Sequence, residues 1–220
     1  MTFDLGLILG SLPEVLAAAW VTIVMWLASA AMGAALGFVL ALLRRYGGRA
    51  AAWPILGFVT VIRGTPFLIQ LFLLYYSGPS IGIDLDPTGS GLLSLSIYAS
   101  AYFCEIFTGG FAAIPRGHVE AAICVGLSRA QIVARILVPE MALLVLPACV
   151  NMTILMMKET AVLSIVTVPE LTLVITAIGS RTFAFAEALF LLAIAYWVLT
   201  EATGRLGRFA EGALARYRLA

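Results

Sequence analysis

The chain has 220 residues, of which 62% are hydrophobic and only 11% are charged. About a quarter of the residues would be charged in a soluble domain, so the composition excludes an ordinary soluble protein. We expect residues 1–220 to form a single integral membrane domain with little mass outside the membrane. The formal net charge of +1 carries little information, whereas the placement of the charges along the chain is informative.

Long apolar runs predict five transmembrane helices, since each crossing of the hydrocarbon core needs about 20 residues. The first run is longer than a signal-peptide core and has no basic lead-in, so we expect it to be retained. A further apolar stretch at 161–178 is interrupted by Pro169-Glu170 and is predicted to be a partial or re-entrant segment beside the translocation path. The five predicted spans cover residues 15–43, 53–77, 92–114, 140–157 and 183–200.

The charges between these runs predict the topology. The stretches 44–52, 115–138 and 201–220 are rich in arginine, whereas the charged residues of 78–91 are all acidic. Because positively charged loops stay on the cytoplasmic side, these three stretches are predicted to be cytoplasmic and 78–91 external. The N-terminus is then external and the C-terminus cytoplasmic.

Two glycines in the first run, Gly33 and Gly37, form a G-x-x-x-G pattern. Such a pattern either seats a neighbouring helix or arises by chance in a helix rich in glycine and alanine. The sequence leaves both interpretations open.

Residues 115–139 form the longest stretch with a mixed polar pattern, and we call 115–138 the docking loop. Local signals predict two short helices, at 118–125 and 129–137, joined by a turn. Alanines and a glycine in the first helix and turn would let another protein approach closely, so the pattern is typical of a docking site. The signals are Pro115 at a first helical position, Gly126 as a left-handed stop, Ser128 and Gln131 as a capping box, and Pro139 as the limit of the second helix.

These residues also resemble a known motif. Glu120-Ala121-Ala122, Gly126, Ile136 and Val138-Pro139 closely resemble the EAA loop of ATP-binding-cassette importer permeases. The resemblance implies an all-α permease of the MetI-like fold, in which the loop is cytoplasmic and sits in a groove of a separate ATPase. It assigns ATPase coupling to Glu120, Ala121, Ala122, Gly126, Ile136 and Pro139.

Two charged residues, Arg63 and Glu105, fall inside predicted spans. Each lies 14 residues from the outer end of its run, which places both at a depth of about 21 Å on straight helices. Equal depth makes an ion pair between the two residues possible. Alternatively, the Arg63 side chain extends to the inner membrane surface while Glu105 is paired with another group for a structural reason. A third possibility is that Glu105 contacts the substrate directly. Lys158-Glu159-Thr160 is either an ordinary boundary triple or part of the path, where a carboxylate could bind an ammonium group.

The same residues resemble the polar amino-acid subfamily of importer permeases. The similarity lies in Arg63-Gly64-Thr65-Pro66 with Gln70, in Ala101-Tyr102 with Glu105-Ile106, and in Lys158 to Val162. Thr108, His118 and Ala161 depart from that pattern, and Thr108 removes a positive charge near the inner mouth. The resemblance implies a substrate path formed by Glu159, Lys158, Thr160, Glu105, Gln70, Arg63 and Thr65.

As a whole, the resemblance implies a permease subunit of an ATP-driven importer in the cell inner membrane. Its partners would be ATPase subunits, a second permease subunit, a solute-binding protein, an amino acid and the lipid membrane. ATP and Mg would be bound by the ATPase, because this sequence has no phosphate-binding G-x-x-x-x-G-K-[ST] loop. No catalytic residue, cofactor, metal or nucleic acid is expected for this chain. The alternatives are a permease for another small solute, an ion-gradient-driven secondary transporter, or a membrane scaffold.

Overall fold

The computed structural model describes Gly6 and residues 10–215, and these residues form helices without a strand. The helix bounds explain how the charged segments are placed. In chain order the α-helices are α1 Leu12–Tyr46, α2 Gly48–Gly64, α3 Phe67–Phe72, α4 Pro87–Ala113, α5 Arg116–Cys124, α6 Arg129–Ile132, α7 Val138–Glu159, α8 Leu171–Thr182 and α9 Phe185–Ala215. Short π-turns lie at Leu73–Ser77 and Val133–Leu137, and 3₁₀ segments lie at Gly78–Ile81 and Thr160–Val166.

Four stretches of the described chain are long and apolar enough to cross a membrane on their own. A fifth crossing requires α2 and the helical stretch Phe67–Ile81 to be counted together, although the two are bent by 108°. With 12 residues, α8 is too short to cross and forms the partial segment. The predicted all-α membrane fold is therefore confirmed. The four stretches are Leu12–Tyr46, Pro87–Ala113, Arg129–Val166 and Phe185–Phe209.

The bend between α2 and α3 corrects the expectation of a straight second span. Thr65 is extended, with φ −118° and ψ 144°, as expected for a residue that precedes a proline. The calculation that placed Arg63 about 21 Å deep assumed a straight helix, so its geometry is wrong.

A second correction concerns Pro139, which does not limit the preceding helix. The proline ring cannot donate a backbone N–H and crowds the carbonyl four residues earlier. The π-turn at Val133–Leu137 widens the backbone just before it, and helical structure continues from Arg129 to Val166 over 38 residues.

The two glycines of the first run pack inside the chain. A methyl group at Gly37 would lie only 2.7 Å from the Phe103 side chain and 2.8 Å from the Ser100 carbonyl oxygen. The G-x-x-x-G pattern therefore brings α1 against α4, and this close contact forms the centre of the bundle.

The buried side chains form three groups. One group joins α1, α3, α4 and α7 in the middle of the bundle, around Leu71, Leu95 and Met156. A second packs the docking loop against the ends of α1, α2 and α4. A third holds α8 between α1 and α9. The docking loop is thus packed onto the same core that carries the membrane-buried charges.

Candidate functional site

The first helix of the docking loop ends at a glycine, as predicted. Gly126 is left-handed, with φ +81°. Its N–H donates to the Ile123 carbonyl at 2.9 Å, and the Leu127 N–H donates to the Ala122 carbonyl at 3.1 Å. This pair of bonds is a Schellman ending, which closes the helix and turns the chain sharply.

The second loop helix begins with the predicted capping box. The Ser128 N–H donates to the Gln131 side-chain oxygen at 2.8 Å, and the Gln131 N–H donates to Ser128 Oγ at 3.4 Å. The reciprocal bonds satisfy two backbone donors at the start of α6, so the turn between α5 and α6 is defined on both sides.

Exposure separates the docking loop into an inner and an outer side. Ala122 is only 3% exposed and packs into the core, whereas Ile123 and Val125 are 60% and 76% exposed. Glu120 and Ala121 are also exposed. The loop therefore presents one carboxylate and several small or branched apolar side chains outward, a composition suited to helix-in-groove binding.

The remaining predicted coupling residues lie farther along the chain. Ile136 is half-buried in the π-turn, and Pro139 is exposed at the start of α7. A cavity of about 570 Å³ separates the loop from the end of α1 and is lined by Arg45 and Tyr46 on one side and by Val119, Ile123 and Arg129 on the other. The end of α1 and the docking loop therefore lie at the same end of the bundle.

His118 joins the docking loop to the long helix. Its Nδ1 lies 2.8 Å from an oxygen of Glu140. The sequence alone suggested only a surface polar residue at His118. The contact ties the first turn of α5 to the first turn of α7.

Arg63 and Glu105 form an ion pair, one of the two arrangements that the sequence left open, with Arg63 Nη1 3.5 Å from Glu105 Oε2. Arg44 binds the other carboxylate oxygen of Glu105. The Arg63 guanidinium also lies 5.3 Å from the centre of the Tyr102 ring. We call Arg44, Arg63 and Glu105 the Glu105 cluster; it joins α1, α2 and α4. The contribution of Arg44 was missed, because the sequence assigned this arginine to a cytoplasmic loop.

Gln70 and Thr65 hold the bend between α2 and α3. The Gln70 amide donates to the Ile62 carbonyl at 2.7 Å and lies 2.9 Å from the Thr65 hydroxyl. Gln70 also lines an apolar cavity of about 370 Å³ together with Ser94. Among the described residues, the Gln70 side-chain oxygen and the Ser94 hydroxyl are buried without a hydrogen-bond partner. Two polar atoms that lack partners thus belong to residues lining this cavity.

The three side chains of the polar triple Lys158-Glu159-Thr160 differ in exposure. Lys158 is exposed, Glu159 is half-buried, and Thr160 is fully buried. Thr160 donates to the Met157 carbonyl at 2.6 Å and lies 3.5 Å from the Tyr196 hydroxyl. In the described part of the chain, no hydrogen bond or ion pair links the triple to the Glu105 cluster.

Glu170 is a buried carboxylate that the sequence indicated only as a break in an apolar run. It is 0% exposed and accepts from the N–H groups of Thr172 and Leu173, both at 2.9 Å. The Tyr196 hydroxyl donates to the same carboxylate at 2.9 Å. We call Glu170, Thr172 and Tyr196 the Glu170 network. An acidic residue directly before an apolar run is an N-cap signal that could have revealed it.

These features define a helical membrane protein with several spans, charged clusters between its helices and a capped docking loop at one end. The chain belongs to the family described as binding-protein-dependent transport system inner membrane components, which matches residues 33–212. It is therefore a multi-pass permease subunit of an ATP-binding-cassette importer in the inner membrane, and ATP hydrolysis belongs to a separate subunit.

Individual proteins agree with this assignment. The chain is 36% identical over 176 residues to a probable amino-acid ABC transporter permease, y4tG of Sinorhizobium fredii, covering 80% of this chain and 76% of the relative. The crystal structure of an amino acid ABC transporter with histidines superimposes with a TM-score of 0.89 at 28% identity, over 97% of this chain and 100% of that one. An inward-facing MetNI methionine ABC transporter shares the fold, with a TM-score of 0.70 at 21% identity over 90% of this chain and 97% of that one.

Proposed function

We propose that this permease imports a polar amino acid. The observation that carries the proposal is the likeness to a solved amino acid transporter over 97% of the chain. The relative y4tG, with its name as a probable amino-acid permease, supports the same substrate class. The local structure around Arg63 and Gln70, the stretch that resembles polar amino-acid permeases, is compatible with it.

The substrate class is tested by uptake into vesicles that contain the complete transporter. A panel of radiolabelled amino acids is compared with methionine and with a non-amino-acid solute. We expect ATP-dependent uptake of at least one polar amino acid that stops when vanadate is added. Uptake confined to another solute, or uptake that continues with vanadate, would refute the proposal.

The proposed path runs along the half-buried Glu159 toward the Glu105 cluster. Glu159 is the candidate that binds the substrate ammonium group, because a carboxylate forms a short, charge-assisted bond with that group. Lys158 and Thr160 flank it, and Gln70 with Thr65 would line the path at the bend. Arg63 and Glu105 would contribute charge nearer the docking loop.

Substitution of Glu159 separates this role from a general loss of charge. Glu159→Gln is expected to raise the KM for uptake at least about tenfold, since a charge-assisted bond contributes roughly 1.5–3 kcal/mol. The control is Glu201→Gln, which removes an exposed carboxylate paired with Arg205. Equal KM values for both variants would remove Glu159 from the path.

For energy coupling, we propose that the docking loop binds an ATPase subunit. The proposed coupling residues are Glu120, Ala121, Ala122 and Gly126 in the first half of the loop, with Ile136 in the π-turn and Pro139 at the start of α7. Glu120, Ala121 and Gly126 are exposed, Ala122 is buried, and Gly126 forms the turn that ends the first loop helix. ATP and Mg would be held by the ATPase.

Charge and backbone variants test the coupling. Gly126→Asp and Glu120→Lys are each expected to abolish co-purification of the ATPase while the permease still inserts in the membrane. Gly117→Asp is the matched control, because it adds the same charge to the loop at a helical glycine with open space around it. Normal ATPase recovery with both coupling variants would refute the assignment.

In the proposed assembly, two permease subunits enclose the path, two ATPases bind the docking loops, and a solute-binding protein delivers substrate. Closure of the ATPases would draw the docking loops together and switch the path between its two openings. The orientation places residues 115–138 and the C-terminus in the cytoplasm and the N-terminus outside, on the charge asymmetry of the loops. Labelling of a cysteine placed at Ala121 from the outside of intact cells would contradict it.

A further inference from the structure

A groove between the end of α1 and the start of α2 shares Arg44 with the Glu105 cluster but contains no residue of the docking loop. It measures about 210 Å³ and is lined by Arg44, Arg49, Ala52, Trp53 and Leu56. Gly47 and Gly48 form the turn between the helices, and Gly48 is left-handed, with φ +70°. The turn brings the arginine at the end of α1 and the arginine at the start of α2 into one site.

Two arginines border the groove and no acidic residue lines it, although its exposed lining is apolar. Arg44 is paired with Glu105, but Arg49 has no ion pair or hydrogen bond among the described residues. The stretch 44–52 contains no acidic residue. In addition, α2 begins at Gly48 without a side-chain cap, so the positive end of its dipole is not neutralised by the chain. The rim of the groove, where Arg49 is exposed, is therefore suited to an anion.

The remaining walls are apolar, and Trp53 is 65% exposed. An exposed tryptophan beside arginines is typical of the level where headgroups meet hydrocarbon, because its ring is amphipathic. The aliphatic parts of the arginines can cover an acyl chain while their charged ends reach the headgroup. A free phosphate ion would use only the charged part of this site, whereas a phospholipid would use both parts.

The position of the groove along the bundle also suits a lipid headgroup. The cavity next to the docking loop is lined by Arg45 and Tyr46, the immediate neighbours of Arg44. The groove is therefore at the end of the bundle that carries the docking loop, which is the cytoplasmic end in the proposed function. The lipid surface on that side is anionic, and each basic residue near it gains about 1 kcal/mol of attraction.

We propose that this groove binds the headgroup of an anionic phospholipid, with Arg49 contacting the phosphate and Trp53 covering the upper part of an acyl chain. The ligand class is a phosphatidylglycerol-like lipid. Bound there, the lipid would hold the turn between α1 and α2 next to the Glu105 cluster.

The test is native mass spectrometry of the complete transporter, released from detergent with equal amounts of phosphatidylglycerol and phosphatidylcholine. We expect the unmodified protein to retain phosphatidylglycerol preferentially and Arg49→Gln to reduce that retention about fivefold, as the loss of one basic contact near a lipid surface predicts. Trp53→Ala should reduce retention of both lipids alike. Arg116→Gln is the matched control, since it removes an exposed arginine at the same end of the bundle.

Two further measurements make the test decisive. Arg49→Lys keeps the charge and should retain more phosphatidylglycerol than Arg49→Gln, which guards against a loss caused by misfolding. Excess inorganic phosphate should leave lipid retention unchanged; if it displaces the lipid, the groove is a site for free anions and the proposal is wrong. Equal retention by Arg49→Gln and Arg116→Gln would also overturn it. Because the readout is lipid retention, failure here would leave the amino-acid uptake test unaffected.

Discussion

Glu105 and Glu170 are two carboxylates within the apolar part of the same chain, and their surroundings differ. Glu105 is about one-third exposed and binds two arginines, one from α1 and one from α2. Glu170 is 0% exposed and binds only neutral donors, two backbone N–H groups and the Tyr196 hydroxyl. A buried carboxylate is stable only when its oxygens have hydrogen-bond or ion-pair partners, and the two sites supply different partners.

The difference indicates separate roles. The Glu170 network lies between α8, α9 and the 3₁₀ segment, and its carboxylate is fully buried, so it is suited to holding the partial segment in place. The Glu105 cluster joins three helices and remains accessible at one side. A partly exposed cluster between helices can rearrange at lower cost than a sealed one, because water can replace a lost partner.

The largest expected effect is the loss of the sealed carboxylate. Glu170→Ala leaves two backbone N–H groups without an acceptor and removes one partner of the Tyr196 hydroxyl, which still lies 3.2 Å from Thr172 Oγ1, and we expect a destabilisation of about 3 kcal/mol. Thermal unfolding in detergent measures it. Glu170→Gln is the control and should lose less, because its amide oxygen still accepts. Equal melting temperatures for the three proteins would show that the network is not structural.

Charge reversal of Glu105 is expected to affect transport more than stability. Glu105→Lys would place three positive charges together and abolish uptake, with a stability loss limited to about 1–2 kcal/mol by solvent screening. Uptake and thermal unfolding are measured on the same preparation. The control, Glu14→Lys, disrupts an exposed pair with Arg181 and should change both only slightly. Intact uptake and expression in Glu105→Lys would argue against both a structural and a substrate role.

Removal of the Tyr196 hydroxyl tests how much one hydrogen-bond donor contributes to the Glu170 network. Tyr196→Phe deletes the hydroxyl but leaves the two backbone donors to Glu170, so we expect a loss of about 1 kcal/mol. The same substitution in the Glu170→Ala background should cost less, because the two residues share one bond. Additive losses in the double variant, measured by thermal unfolding, would show that the bond does not contribute.

The smallest expected effect is the difference between the coupling energies of Glu105 with the two arginines of the Glu105 cluster. Double-mutant cycles of Arg44→Gln and Arg63→Gln, each combined with Glu105→Gln, measure the two coupling energies. Arg44 is less exposed than Arg63, 26% against 45%, so its coupling should be about 1 kcal/mol and that of Arg63 about half as large. A stronger coupling for Arg63 would reverse this ranking of the contacts.

The docking loop was the part that the sequence predicted best, because helix caps depend on neighbouring residues. Gly126 and the pair Ser128 and Gln131 adopt the predicted roles through bonds that span three to five residues. The all-α membrane fold was equally accessible from the lengths of the apolar runs.

The contacts within the bundle were harder to predict. Arg44 and Glu105 are 61 residues apart, and Tyr196 and Glu170 are 26 apart, so each contact depends on which faces of two helices meet. An apolar run gives little indication of its facing side when lipid and core are both hydrophobic. The prediction of a helix end at Pro139 was wrong for a different reason. The π-turn at Val133–Leu137 removes the clash between the proline ring and the preceding turn, and the predicted end depended on that clash.

That π-turn has a mechanical consequence. Without a stop at Pro139, helical backbone runs from Arg129 to Glu159, a length of about 45 Å at the usual rise per residue. A tilt of about 5° at one end of such a rod displaces the other by about 4 Å, which exceeds the length of any hydrogen bond. A small swing beside Ser128 would therefore suffice to make or break a contact at Glu159.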